Sequence, residues 1–306
     1  MLTQLRLNIY GCNIKIAMNA LLSLRKFAAS LWRAADEATI NLRMQTRKNC
    51  SYQPLSGRRD GIVVSLTSFP ARMGVVWITL DSMFRQKTRP DKIVLYLTDA
   101  EFPGGLAEVP QQVKRLTAFG LEIRFVPDNL YCHNKYFYAL REFPDATVIT
   151  VDDDSYYRSD TIGRLMEMNR KYPSAVCCNI ASVINMDSFY DYSTWKKAPA
   201  PHAPNDLCVA NGFSGVLYPP HVIGPGMFDK ELLLKLAPKA DDLWLKANEV
   251  VMGVKVATGS YYPRPVTVGG SQKISLRKYN KGPENGNRLQ WKALDAHFGL
   301  REKIEK

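Results

Sequence analysis

From Gly61 onward the chain alternates short β-branched apolar runs with amphipathic helical stretches. The runs are GIVVSLT (61–67), KIVLYLT (92–98), LEIRFVP (121–127), ATVITVD (146–152) and AVCCNI (175–180). Between them lie VVWITLDSMFRQ (75–86), VPQQVKRLTAFG (109–120), NKYFYALREF (134–143) and DTIGRLMEMNRKY (160–172). Runs this short and this rich in Val and Ile suit buried strands. One strand and one helix in roughly every 25–30 residues is the rhythm of crossover connections between parallel strands. The alternation therefore predicts an α/β fold, a mostly parallel sheet with helices on both faces. In such sheets ligands collect outside the carboxyl ends of the strands, so the residues just past each run are the first candidates for function.

The fourth run breaks into Asp152, Asp153 and Asp154, followed by Ser155, Tyr156 and Tyr157. Neighbouring carboxylates raise one another's pKa unless positive charge offsets them. A turn or a helix cap needs one aspartate, and three in succession exceed that need. Asp152 and Asp154, one residue apart, form a clamp for Mg²⁺ or Mn²⁺, hard cations that take carboxylate oxygens and keep positions open for substrate phosphates. A second acidic pair, Asp241 and Asp242, precedes Leu243, Trp244, Ala247, Val250 and Val251, whose spacing reads as a helix. The pair then occupies a first helical turn, where the dipole favours negative charge with or without a function. Two acidic sites suggest two tasks: one holds a metal and a diphosphate, the other takes a proton from an incoming hydroxyl.

The net charge of +12 over 306 residues points to an anionic partner, and it is unevenly placed. Residues 1–50 carry eight Lys or Arg against two acids, and the stretch from Arg264 carries ten against four. The middle is nearly neutral, so charge speaks for docking more than for the active centre. Residues 14–40 place Ile14, Met18, Leu21, Leu24, Ala28, Leu31 and Ala35 at three- and four-residue steps, with Lys15, Lys26 and Arg33 between them. That is a basic amphipathic helix, suited either to an anionic membrane surface or to packing on its own domain. No run reads as a transmembrane helix; the longest uncharged stretch, 207–228, is interrupted by Pro219, Pro220, Pro225 and several glycines and reads as a loop. Ile16–Leu24 is too short for a secretory signal and lacks a cleavage site. Six irregularly spaced cysteines make neither a disulfide framework nor a zinc signature, and Cys132–His133 finds no further ligands. A cytoplasmic location fits these features.

Several ordered motifs resemble the bacterial GT-A fold glycosyltransferases of surface-polysaccharide type (capsule and lipopolysaccharide clusters), related to glycosyltransferase family 2. They are SLTSFPARM (65–73), FRQKTRPDKIVLYL (84–97), HNKYFYALREFPDATVITVDDDSYY (133–157), GFSGVLYPP (212–220), ADDLWL (240–245) and SLRKYN with NGNRLQ (275–290). The resemblance spans residues 60–290. It implies a Rossmann-like nucleotide-diphospho-sugar transferase domain (58–270), a basic amphipathic N-terminal extension (1–57) and a basic C-terminal lid with a short helix (271–306). Asp152 and Asp154 match the family's Asp-x-Asp motif, touching donor ribose and the metal-bound diphosphate, with Asp153 beside them on the donor side. Asp242 matches the base of an inverting transferase, with Asp241 next to it. Thr67, Ser68 and Arg72 stand where this fold seats the nucleotide base, and Lys135 matches a basic position that could meet phosphate. Gly212 and Gly215 would let backbone approach sugar and acceptor closely. Lys273, Arg277, Lys278 and Asn280 could close over the diphosphate. The sequence departs from the family after Asp154, where Ser155, Tyr156, Tyr157 and Arg158 replace an apolar pair and a proline.

The implied reaction is transfer of a sugar from a nucleotide-sugar donor, taken as UDP-linked, to a glycan or lipid-linked acceptor, with Mn²⁺ or Mg²⁺ as cofactor. The implied setting is the inner face of the plasma membrane, reached through the basic N-terminal helix. A nucleotidyltransferase also pairs such a sheet with metal-binding aspartates, but TSFPARM stands where its Gly-rich phosphate loop belongs. A nucleic-acid binder would interleave basic and aromatic residues on one face, whereas the charge here lies in the termini; nucleic acid is not an expected partner. A degenerate, non-catalytic nucleotide-sugar-binding relative stays open.

Overall fold

The computed structural model describes residues 51–259, 264–268, 271, 279–280 and 285–306, together with five helical positions, 31, 34, 35, 38 and 42. The chain divides into two compact units, Met1–Lys48 and Asn49–Lys306. Most of the expected N-terminal amphipathic helix, and Lys273, Arg277 and Lys278 of the expected lid, lie outside the described residues. Among the described residues no helix is long and apolar enough to cross a membrane.

The second unit is built on an eight-stranded sheet. Its strands include β1 (Ile62–Thr67), β2 (Lys92–Thr98), β3 (Leu121–Val126), β4 (Thr147–Thr150), β6 (Val176–Cys178), β9 (His202–Asn205), β11 (Val216–Tyr218) and β12 (Val256–Thr258), in the order β3-β2-β1-β4-β11-β6-β12-β9. β3, β2, β1 and β4 are mutually parallel, and β12 is parallel to β6. β11 runs antiparallel to both β4 and β6, and β9 antiparallel to β12. The mainly parallel α/β architecture expected from the alternation is what the chain forms. β2 is buried at every position, as a strand covered on both faces should be.

The sheet's two-residue side-chain period sorts the core. Val64 and Leu66 of β1 face a cluster with Val76, Leu80 and Met83 of α1 (Val76–Phe84) and Val113 of α2 (Gln111–Lys114). Val63 faces the opposite cluster, with Ala139 of α3 (Asn134–Glu142). Ile162, Leu165 and Met168 of α4 (Thr161–Lys171) join the first cluster. A third cluster gathers Leu233 of α5 (Lys230–Leu236), Trp244 and Ala247 of α6 (Asp241–Met252), Trp291 and Leu294 of α7 (Gly286–Phe298) and Leu300 of α8 (Leu300–Glu305) around β6 and β12.

One expectation fails here. The stretch 207–228 is not simply a loop: it contributes β10 (Cys208–Ala210) to a three-stranded sheet with β7 (Ala181–Val183) and β8 (Lys196–Lys197), and β11 to the centre of the main sheet. Each is three residues long, framed by the glycines and prolines that marked the stretch as irregular. A two-stranded ribbon, β5 (Ser155–Tyr156) with β13 (Val266–Thr267), lies just past the acidic run.

Candidate functional site

Strand order places β1 between β2 and β4. The chain winds outward from β1 to β3 and then resumes on β1's other side, so the β1/β4 boundary is the topological switch point where open α/β sheets bind ligands. The acidic run leaves the carboxyl end of β4 there, and SFPAR leaves that of β1. Thr67 closes β1 with its Oγ1 donating to the Tyr96 carbonyl at 2.9 Å. Phe69 is extended and Pro70 starts a single 3₁₀ turn, Pro70–Arg72, which brings Arg72 back toward β4.

Ser68 Oγ donates to Asp153 Oδ2 at 2.5 Å. The Arg72 guanidinium donates to Asp153 Oδ1 and lies 3.1 Å from Asp154 Oδ2. Asp153 is thus the aspartate turned back toward the β1 loop. Its carboxyl is raised by burial, against Arg72 and Ser68, which favour the charged form. Asp154 is pushed up to about 6, first by burial and then by the charge of Asp152. The Asp152 backbone N–H donates to Tyr157 Oη at 2.9 Å, and that hydroxyl donates to the Phe213 carbonyl at 3.1 Å. The Val268 N–H donates to the Asp154 carbonyl at 2.8 Å, extending the β5/β13 ribbon. Tyr157 and Phe213 are the members that sequence reading missed. The motif containing Tyr157 pointed at its backbone position, but only the fold sets its hydroxyl between two segments more than fifty residues apart.

The second acidic pair arrives from the other side. Asp241 and Asp242 open α6, and α3 delivers Lys135 between them and the acidic run. α3 is seated on β1 partly by Ser65 Oγ, which donates to the Lys135 carbonyl. The buried Lys135 ammonium lies 2.6 Å from Asp152 Oδ1 and 2.7 Å from Asp241 Oδ2. Burial opposes its charge, but Asp152, Asp241 and Asp242 together hold its pKa well above the ordinary lysine value. Burial would raise Asp241 as well; Lys135 outweighs it and holds that carboxyl below the usual range. Asp242 is driven well above the usual range by burial and by the charge of Asp241. Its Oδ1 accepts the Gly212 N–H at 3.0 Å. A Cβ on Gly212 would stand 2.9 Å from Asp242 Oδ1 and 3.2 Å from Lys135 Nζ, so glycine is what lets this backbone reach the carboxylate.

The structure therefore brings together Ser68, Arg72, Lys135, Asp152, Asp153, Asp154, Asp241, Asp242 and Gly212. Gly215 turns elsewhere: its φ is 87°, and a Cβ there would meet Leu165, Thr161 and Asn179. Asn280 donates to the Lys239 carbonyl at 2.8 Å, steadying the loop ahead of α6. His133 is buried, with ring nitrogens 2.8 Å from Tyr136 Oη and from the Ala237 carbonyl, and burial lowers its pKa to about 4. It is a neutral core histidine, not a metal ligand.

Asp152 and Asp154 fit a divalent cation by the chemistry of their oxygens and by their mutual repulsion. Burial and the Asp152 charge make the ionised form of Asp154 costly, and a hard cation shared by the two would relieve that cost. Arg72 and Lys135 each hold an oxygen of this pair, and two carboxylates plus substrate phosphates are an ordinary ligand set for Mg²⁺. Among the described residues no group of three or more His, Cys, Asp or Glu side chains is arranged to hold a metal on its own.

No protein-family model and no curated protein matches the chain. Solved structures do match in outline. The mannosyltransferase PcManGT from Pyrobaculum calidifontis, in complex with GDP-Man and Mn²⁺, aligns with 91% of this chain and 83% of its own at 16% identity and a TM-score of 0.45. The 4-diphosphocytidyl-2C-methyl-D-erythritol synthase from Anaerococcus prevotii aligns with 73% of this chain and 100% of its own, at 16% identity and 0.44. TarS from S. aureus aligns with 78% of this chain and 72% of its own, at 11% identity and 0.43. Likenesses this distant say nothing of this chain's substrate.

Proposed function

We propose that the chain is a metal-dependent glycosyltransferase. It moves a sugar from a nucleotide-sugar donor, UDP-linked, to a glycan or lipid-linked acceptor of surface-polysaccharide synthesis, with inversion at the anomeric carbon. The observation that carries this reading is Lys135, whose single ammonium touches Asp152 at 2.6 Å and Asp241 at 2.7 Å and so joins the two acidic pairs into one site.

The roles follow from position. Thr67, Ser68 and Arg72 line the nucleotide side, and Asp153 fixes Ser68 and Arg72 there. Asp152 and Asp154 would hold Mn²⁺ or Mg²⁺, which supplies neutralisation of the departing diphosphate. Asp242 takes the acceptor's proton as its hydroxyl oxygen attacks. A carboxylate whose pKa is driven up is a stronger base than an ordinary aspartate, and the Gly212 N–H fixes one of its oxygens. Lys135 keeps Asp241 ionised beside it and holds Asp152 in register. The basic N-terminal extension (1–57) would dock the enzyme on an anionic leaflet, and Lys273, Arg277 and Lys278, ahead of α7, would meet the donor diphosphate.

Asp242→Asn tests the assignment. It should leave donor affinity unchanged and lower transfer by about a hundredfold to ten-thousandfold, the range for removing a general base. An Asp242→Asn enzyme that transfers sugar at the wild-type rate would contradict it.

A further inference from the structure

β4 and β11 run side by side only as far as Thr150 and Val216, the register pair nearest the site. Beyond that pair the two chains leave the sheet as the acidic run 152–154 and as the 3₁₀ turn Gly212–Ser214. One carries the aspartates assigned to the metal. The other carries the N–H that binds Asp242 Oδ1 at 3.0 Å. The two lie close: a Cβ on Gly212 would stand 3.8 Å from Asp152 Oδ1. Where a ladder stops, backbone N–H and C=O groups need other partners. Here one side chain takes a group from each chain. Tyr157 Oη accepts the Asp152 N–H at 2.9 Å and donates to the Phe213 carbonyl at 3.1 Å. The tyrosine is only 1% exposed, so bulk water does not compete for its hydroxyl.

The two turns differ in what else holds them. Asp153 is bound by Ser68 and Arg72, and the Asp154 carbonyl by the Val268 N–H. Ser155, next along, is clasped by Thr79 of α1. Its N–H donates to Thr79 Oγ1 at 3.2 Å, and that hydroxyl donates to its carbonyl at 2.8 Å. The acidic run is thus anchored without Tyr157. The turn that carries Gly212 is anchored instead to the residues after β6. The Asn211 N–H donates to the Ile180 carbonyl at 3.0 Å, and Asn179 Nδ2 donates to the Ser214 carbonyl at 3.0 Å. The Tyr157 hydroxyl is what holds this turn to the acidic run. Gly212 and Gly215 frame it, Gly215 at a φ of 87°, so its backbone resists displacement weakly.

We infer that Tyr157 is a positioning residue: its hydroxyl fixes the Gly212–Phe213 backbone relative to the metal-binding aspartates and so keeps the Gly212 N–H on the base, Asp242. This rests on the glycosyltransferase reading above. Tyr157 acts through Phe213 and touches no reacting atom. A misplacement of about 1 Å caused from such a distance costs about a hundredfold in rate.

Tyr157→Phe tests this, since it removes one oxygen and keeps the ring. The control is Thr79→Val, which takes a buried hydroxyl from the acidic run and none from the turn. Hydrogen exchange at the Gly212 amide reports its bond to Asp242 directly. Exchange should quicken about tenfold or more in Tyr157→Phe, the scale of one lost charge-assisted hydrogen bond, and keep the wild-type rate in Thr79→Val. The β2 amides should exchange as in wild type in both variants. Calorimetric titration with UDP plus Mn²⁺ should give Tyr157→Phe the wild-type affinity, because the acidic run keeps its other anchors. In the transfer assay that tests Asp242→Asn, kcat should fall about tenfold to a hundredfold with the donor KM unchanged. Wild-type exchange at Gly212 in Tyr157→Phe overturns the inference. Equal deprotection in Thr79→Val or across β2 marks general loosening and overturns it too, as does a raised donor KM with kcat intact. If UDP plus Mn²⁺ does not bind wild type while the exchange pattern holds, the glycosyltransferase reading falls and the tie between the two turns stands. Should Tyr157→Phe not fold, Tyr157→Met, apolar and similarly long, replaces it.

Discussion

At the scale of residues, the site is a chain of charges in which each neighbour sets the next. Lys135 lies between Asp152 and Asp241, Asp241 raises Asp242, and Arg72 spans Asp153 and Asp154. Asp154, at about 6, lies above the ordinary aspartate value of about 3.9. Between those two values the native state binds more protons than the unfolded chain, so Asp154 makes stability fall as pH rises through that window. A cation must displace the same proton, so Mn²⁺ affinity should climb as pH approaches 6 and level off above it. Titrations with Mn²⁺ at about pH 5 and about pH 7 check this; equal affinities at both would contradict it. Gly212→Ala should put a methyl against Asp242 and Lys135 and cut transfer sharply, with little change in melting temperature, because Gly212 sits at the cleft and outside the apolar clusters. The acidic residues were legible in the sequence, since three adjacent carboxylates after a buried run exceed what a turn or a cap requires. Lys135 was legible only as a basic position: its two carboxylate partners depend on α3 crossing β1, which nothing local encodes.

At the scale of elements, α6 joins the site to the core. Its first turn presents Asp241 and Asp242; one to two turns on, Lys246 and Glu249 are fully buried with Nζ and Oε2 3.7 Å apart. Neither of those atoms has a hydrogen-bond partner among the described residues. Burial pushes Glu249 up to about 7, with Lys246 opposing, and lowers Lys246. A pair this long recovers little of its desolvation cost. Lys246→Met with Glu249→Leu should therefore be neutral or stabilising by about 1–4 kcal/mol, whereas Lys246→Met alone should cost about 3–5 kcal/mol, because it strips the buried Glu249 of the cation that opposes the rise of its pKa. Denaturant titrations of both variants decide it. Of the strands found from sequence, β1 to β4 have β-branched runs long enough to show a pattern, and the three-residue β6 was marked by the apolar run AVCCNI around it. β11 escaped because three residues between a glycine and two prolines carry no period, and its place between β4 and β6 is set by pairing partners on both sides.

At the scale of the whole molecule, the neutral middle of the sequence forms the sheet and its cleft, while the positive charge collects at both ends. The full chain should bind vesicles containing acidic lipid and release them as ionic strength rises, since exposed charges are screened within about 8 Å at physiological salt. Binding indifferent to salt, or none, would remove the docking role of the N-terminal extension. The α/β architecture was readable from alternation alone because each unit repeats the same strand and helix signal. The small sheet, whose Ser182 meets Asn211 beside Gly212, was not, being assembled from strands of two and three residues. The most direct test of a metal-dependent donor site is a thermal-shift comparison of UDP with and without Mn²⁺ on wild type and Asp154→Ala. Ligand at about a hundred times its Kd adds about 2.7 kcal/mol, several degrees for a domain of this size. A Mn²⁺-dependent shift in wild type that Asp154→Ala abolishes is the expected result; a shift that ignores Mn²⁺, or survives in Asp154→Ala, would contradict it.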